Sequence, residues 1–249
     1  MFRISPIVKH LLILNIIIFF GINLSSSSLL NELFSLHFPL NDNFGFWQIL
    51  SHMFMHGNFN HLLFNMFALW MFGVTVERAL GQKKFLFFYI TCGFGALTLQ
   101  LIYNFYNFFS ISEMLTSNGY TIDSILALLN DLKFDTRWKT FLSEIDIYNL
   151  VSNFNTKMIG ASGAIMGVLV AFGIMNPNAE LMLIFFPIPI KAKYFIPGII
   201  SLDLFSAITG VSIFSPSNTA YIAHIGGALT GFIIMYFWKR NQFDRYRWN

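Results

Sequence analysis

The sequence predicts an all-α membrane protein: a bundle of six transmembrane helices, both termini cytoplasmic, with a long external loop between the third and fourth. Three observations predict it. The 249 residues are 55% hydrophobic and only 11% charged, where a soluble domain carries about 25% charged residues. Six apolar segments recur at about the length a bilayer demands, roughly 20 residues. The basic residues gather in alternate connections between them, as the positive-inside rule requires of a polytopic protein.

The expected spans cover residues 7–22, 59–76, 85–105, 161–175, 194–214 and 221–238. The first precedes the small residues Ser25–Ser28, but no small-x-small cleavage site closes it and five spans follow, so it reads as a retained helix. The fourth is short, about 22 Å at 1.5 Å per residue against a hydrocarbon core of about 30 Å. Asn176-Pro177-Asn178 marks its cytoplasmic end, so its outer start is expected well below the outer surface.

Orientation follows from charge. With the N-terminus inside, Arg3, Lys9, Arg78, Lys83, Lys84, Lys191, Lys193, Lys239, Arg240, Arg245 and Arg247 are all cytoplasmic. Lys133, Arg137, Lys139 and Lys157 fall in the one long external loop, about 107–157, and long loops cross with little regard to charge. The formal charge of +3 is thereby explained without a nucleic-acid partner; no basic run interleaves with exposed aromatics. Within the loop, Ile122, Ile125, Leu126, Leu129 and Leu132 recur at helical spacing behind Thr121 as an N-cap, followed by Trp138, Phe141, Leu142 and Ile145. These patterns are expected to form interfacial helices on the outer face.

Cys92, the single cysteine, lies in an apolar stretch and reads as a packing residue, which excludes an internal disulfide or a cysteine metal site. The reactive side chains lie elsewhere. Ser162 opens the fourth span in Gly160-Ala161-Ser162-Gly163-Ala164-Ile165-Met166-Gly167, and His224 opens the sixth in Ala223-His224-Ile225-Gly226-Gly227. Polar groups are costly in hydrocarbon and are usually functional there. Serine needs a base to take its proton, and histidine is the usual one. A helix N-terminus supplies free N–H donors and a positive dipole end for an oxyanion.

Small residues at Gly227 and Gly231, and at Gly163, Gly167 and Ala171, allow close helix approach. An ideal wheel turns Ser162 away from its glycine stripe, so either Ser162 precedes regular helix or the stripe faces a helix other than the sixth. Asp203 is the only carboxylate that lies within an expected span and clear of its ends; it reads as a satisfied structural residue, which leaves a Ser–His dyad.

The second span opens with His52, His56, His61 and Asn65. His61 and Asn65 stand at i,i+4 on one face, and both can donate to a developing oxyanion. A zinc site from the three histidines is the rival, but no Glu follows His52 and Gly57-Asn58 interrupts the helix between ligands. No metal or organic cofactor is expected.

Taken together, the glycine-flanked serine, Ala-His-x-x-Gly-x-x-x-Gly at 223–231 and the His52, His56, His61, Asn65 series resemble the rhomboid family of intramembrane serine proteases. The resemblance covers nearly the whole chain except the external loop, and residues 185–193 resemble rhomboids of the Bacteroidetes type. It implies Ser162 as nucleophile, His224 as general base, and an oxyanion hole of His61, Asn65 and the Ser162 N–H. It further implies that His56 holds water and hydrogen bonds beside the site, that Trp47 lies sideways in the outer leaflet, and that Glu77 and Arg78 close the second span. Two positions depart from the family pattern. Gln48 stands where arginine usually follows the tryptophan, and Met166 stands where an aromatic often stacks on the histidine.

The expected function is cleavage of transmembrane segments of other membrane proteins near the outer boundary of a bacterial inner membrane, by one rhomboid-like domain over residues 1–249. Its partners are transmembrane substrates and the lipid bilayer, with no oligomeric state implied. The alternative is a catalytically inactive relative that binds membrane clients; such proteins lack the serine or the histidine, and this chain keeps both.

Overall fold

The computed structural model describes residues 4–25, 28–183, 186–212 and 220–244. The expected end of the fifth span at Phe214, Arg3, Arg245 and Arg247 of the charge count, and Phe185 lie outside the described residues. Helix α1 (Pro6–Leu24) starts on a proline, whose missing N–H costs nothing in a first turn. It buries Val8, Leu11, Asn15, Phe19 and Ile22, a single stripe at helical spacing. Buried Glu77 receives the Ser5 hydroxyl at 2.5 Å and the N–H groups of Ile7 and Val8 at 3.0 and 2.8 Å. A carboxylate thus satisfies the orphan donors and the dipole at the start of α1.

Short helices α2 (Ser28–Phe34) and α3 (Gln48–Ser51) shape the first connection. Helix α4 (Phe59–Ala68), a π segment at Leu69–Gly73 and α5 (Val74–Leu80) run as one rod, Phe59–Leu80. Gly81, at φ 80°, turns the chain into α6 (Gln82–Thr116), 35 residues long. The helix of the third expected span therefore runs well beyond the expected end at residue 105. Phe108, Ile111 and Leu115 continue its buried stripe past the polar Asn104 and Asn107, because they have a second core to enter.

That core belongs to the segment expected as an external loop. Helices α7 (Ile122–Asn130) and α8 (Glu144–Asn155) each start on a reciprocal capping box, Thr121 with Ser124 and Ser143 with Asp146. Ile125, Leu129, Trp138, Leu142, Ile147, Leu150 and Phe154 meet the α6 extension and Phe38. The apolar faces read as interfacial are largely turned on one another and on α6, which is the correction the structure makes. Burying fully enclosed Trp138 and its neighbours removes more apolar surface from water than one-sided contact with headgroups would.

Helix α9 (Ser162–Met175) has 14 residues, and every side chain from Gly163 to Phe172 is buried. It is enclosed by protein rather than presented outward. A two-stranded antiparallel hairpin, β1 (Glu180–Leu183) with β2 (Phe186–Lys191), departs from the all-α expectation. Pro187 and Pro189 remove helix donors and hold their predecessors extended. Helices α10 (Ala192–Thr209) and α11 (Tyr221–Asp244) follow. Among the described residues, five helices are long and apolar enough to cross a membrane: Pro6–Leu24, Phe59–Leu80, Gln82–Thr116, Ala192–Thr209 and Tyr221–Trp238; Ser162–Met175 is apolar but shorter.

Candidate active site

The site forms where α6, α9 and α11 pack with almost no side chain between them. A Cβ on Gly163 would strike Ala96 of α6, and one on Gly167 would strike Cys92 and come within 3.0 Å of the Gly227 carbonyl oxygen. A Cβ on Gly231 would lie 2.7 Å from Gly167 Cα, and one on Gly227 would run into the Gly163 backbone. The glycine stripe of α9 thus faces both α6 and α11. Ser162 is the first residue of α9 itself, so it does not precede the helix. Of the two alternatives left by the helical wheel, the second holds in part: the stripe meets α6 as well as α11.

Ser162 reaches its place through Gly160, whose φ is 119° and whose N–H donates to His52 carbonyl oxygen at 2.9 Å. A side-chain carbon there would lie 2.9 Å from the His61 ring and 3.7 Å from Ser162 Oγ. Glycine is therefore required twice, for its backbone and for the space between histidine and serine. An antiparallel bridge between Leu36 and Met158 straps the preceding residues to the first connection. Lys157 pairs with Glu32, which holds the Glu32 carboxyl below its ordinary range.

Ser162 Oγ lies 2.9 Å from His224 Nε2. On the far side of the ring, His224 Nδ1 lies 2.8 Å from Asp203 Oδ2. The histidine and aspartate side chains are 12% and 4% exposed, so both contacts sit in a low-dielectric, nearly dry setting. The sequence reading took Asp203 for a structural residue; its partner is the site histidine itself. The signal available was its isolation as a carboxylate within a span.

His61 lies in the first turn of α4, its N–H donating to Asn58 Oδ1 at 2.9 Å. Asn65 follows one turn on, and its buried Nδ2 has no partner among the described residues. His56 packs edge-on against His61, ring centroids 5.1 Å apart, with both ring nitrogens likewise unpartnered. These buried groups have hydrogen-bonding capacity to spare, and the His61 ring, against which His56 packs, shares the space around Gly160 with Ser162. His52 turns away, its Nδ1 2.8 Å from Gln48 carbonyl oxygen.

Trp47 is half exposed and donates from Nε1 to Leu33 carbonyl oxygen at 2.7 Å. Gln48, the departure from the family pattern, is completely buried. It accepts the His37 N–H at 3.1 Å and donates to the carbonyl oxygens of Leu33 and Asn43 at 3.2 and 2.8 Å. The neutral amide pins the loop from within. Met166 is buried one turn after Ser162.

Comparison with known proteins agrees with this architecture. The Rhomboid domain family model matches residues 43–120 and 140–241, leaving out α7 and the turn after it. Over 195 residues the chain is 27% identical to rhomboid protease AarA of Providencia stuartii, covering 76% of this chain and 54% of that protein. It is 27% identical over 190 residues to mitochondrial rhomboid protein 1 of Saccharomyces cerevisiae, covering 76% and 40%. With rhomboid protease GluP of Bacillus subtilis the identity is 30% over 128 residues, covering 51% and 25%. The chain spans about half the length of these relatives or less. With its apolar, membrane-length helices and this family match, the chain is a multi-pass membrane protein that belongs to the rhomboid family.

Proposed function

We propose that the chain is an intramembrane serine endopeptidase in which Ser162 is the nucleophile and His224 the general base. The observation that carries the reading is the 2.9 Å approach of Ser162 Oγ to His224 Nε2, from two helices held in register by glycine contacts. As Oγ bonds to a substrate carbonyl carbon, its proton passes to Nε2 and the carbonyl oxygen becomes an oxyanion. The Ser162 N–H at the start of α9, with His61 and Asn65, stabilises that charge. His224 then gives its proton to the leaving amine nitrogen as the C–N bond breaks. Water, deprotonated by the same nitrogen, opens the acyl ester, and the proton returns to Ser162 Oγ. His56 holds water beside the site, while Trp47 and Met166 support the first connection and the catalytic turn.

The chain acts as one domain over residues 1–249, crossing a bacterial inner membrane six times with both ends inside and the α7–α8 unit outside. Fourteen residues of α9 span about 21 Å of a core about 30 Å thick. The serine therefore sits below the outer boundary, reached by water from outside. The substrate is a transmembrane segment that unwinds locally, since a helical carbonyl is already bonded to an N–H of its own chain. A small residue before the cut fits the narrow space around Gly160.

The test is cleavage of a tagged panel of single-span membrane proteins by reconstituted wild type, Ser162→Ala and His224→Ala. Both variants are expected to fold and to cleave nothing. Activity above a few per cent of wild type in purified Ser162→Ala would overturn the mechanism.

A further inference from the structure

A carboxylate in the middle of a membrane span is costly and needs a partner. Helix α10 buries only Ala192, Ile196, Asp203 and Ser206. Its inward face thus places an acid, rather than an apolar residue, beside α11. Asp203 Oδ2 meets His224 Nδ1 at 2.8 Å, and the opposite ring nitrogen meets Ser162 Oγ at 2.9 Å. Serine, histidine and aspartate come from three separate helices, α9, α11 and α10, and form one continuous line.

We propose that Asp203 is a positioning residue that completes a Ser–His–Asp triad, an inference that rests on the Ser162–His224 reading above. A neutral imidazole carries one N–H. An ionised carboxylate only accepts, so the proton belongs on Nδ1 and the lone pair on Nε2, facing the serine hydroxyl. The contact also stops the ring from rotating about χ2, because its two nitrogens are engaged at opposite ends. When the serine proton arrives at Nε2, the adjacent carboxylate stabilises the imidazolium. A residue serving only to satisfy a buried polar group would have neither effect on the reaction.

The experiment uses the full chain in proteoliposomes with a single-span substrate. Asp203→Asn keeps shape and packing but removes the charge and lets an amide N–H face the ring, favouring the wrong tautomer. Its kcat is expected to fall about 10²- to 10⁴-fold with KM changed by less than about three-fold. A kcat within about three-fold of wild type, with Ser162→Ala and His224→Ala inactive, overturns the triad and leaves the dyad. Activity retained by Ser162→Ala overturns both readings. Should Asp203→Asn fail to fold, nitrogen-15 histidine NMR of the wild type decides, with His224→Gln assigning the signal. The Nδ1–H tautomer at neutral pH is the expected result; the Nε2–H tautomer overturns the proposal.

Discussion

Replacing Gly227 by alanine tests whether the backbone crossing of α9 and α11 sets the serine–histidine distance. The added methyl would lie 2.7 Å from the Gly163 carbonyl carbon and 3.3 Å from its Cα, and closest of all to the carbonyl oxygen. Carbon atoms prefer about 3.5–4.0 Å, so the helices must part by about 1 Å. Neither side offers a flexible side chain to absorb the strain, which costs about 1–3 kcal/mol of stability. Ser162 adjoins Gly163, and His224 lies one turn before Gly227. The same movement therefore stretches the 2.9 Å contact towards about 4 Å, beyond hydrogen-bond reach. A misplacement of about 1 Å costs about 100-fold in rate. The assay is kcat and KM in proteoliposomes beside thermal unfolding. Gly21→Ala is the control: nothing lies within 4 Å of a Cβ there, so activity is unchanged and stability holds or rises by up to about 1 kcal/mol. Wild-type kcat in Gly227→Ala would refute the argument that the crossing positions the pair.

Three further outcomes are expected. Asn65→Ala lowers kcat about 10- to 1,000-fold by removing one oxyanion donor, while dialysis against a strong chelator changes nothing; loss with chelator and recovery with zinc would favour a histidine metal site. Trp138→Ala costs the α7–α8 unit about 3–5 kcal/mol, seen as protease sensitivity within residues 117–155, with hydrolysis of a generic substrate retained; loss of all activity would make that unit part of the catalytic fold. Lys157 lowers the Glu32 pKa from its ordinary 4.5, so their pairing adds stability above that value and loses it as pH falls through the lower folded value. Lys157→Ala should flatten that acid limb by less than about 1 kcal/mol, since the pair is partly exposed; an unaltered limb would remove the Lys157–Glu32 pair as its source.

Much of this was legible in the residues, for physical reasons. Ser162 and His224 stand out because the glycines next to them mark close backbone approach, and because polar side chains in apolar segments are rare. The Asp203–His224 contact was not legible. It joins residues on different helices, and which way α10 turns its acid depends on packing that no spacing within 194–209 encodes. The length of α6 was misjudged because Asn104 and Asn107 end the apolar run while the helix continues into the core around Trp138. Amphipathic stretches between residues 107 and 157 were legible, but a face that suits headgroups suits a neighbouring helix equally. The role of Gln48 was hidden because its hydrogen bonds reach back to Leu33 and His37. The hairpin had a signal in Pro187 and Pro189 that the run of apolar residues around them concealed.

Covalent labelling shows whether Ser162 is a nucleophile activated by His224. The reconstituted protein is treated with a fluorophosphonate, digested and mapped by mass spectrometry. One adduct is expected, on Ser162, formed by wild type, absent from Ser162→Ala and slowed at least about 100-fold in His224→Ala. An unlabelled wild type that still cleaves substrate, or equal labelling with and without His224, would contradict that role for Ser162.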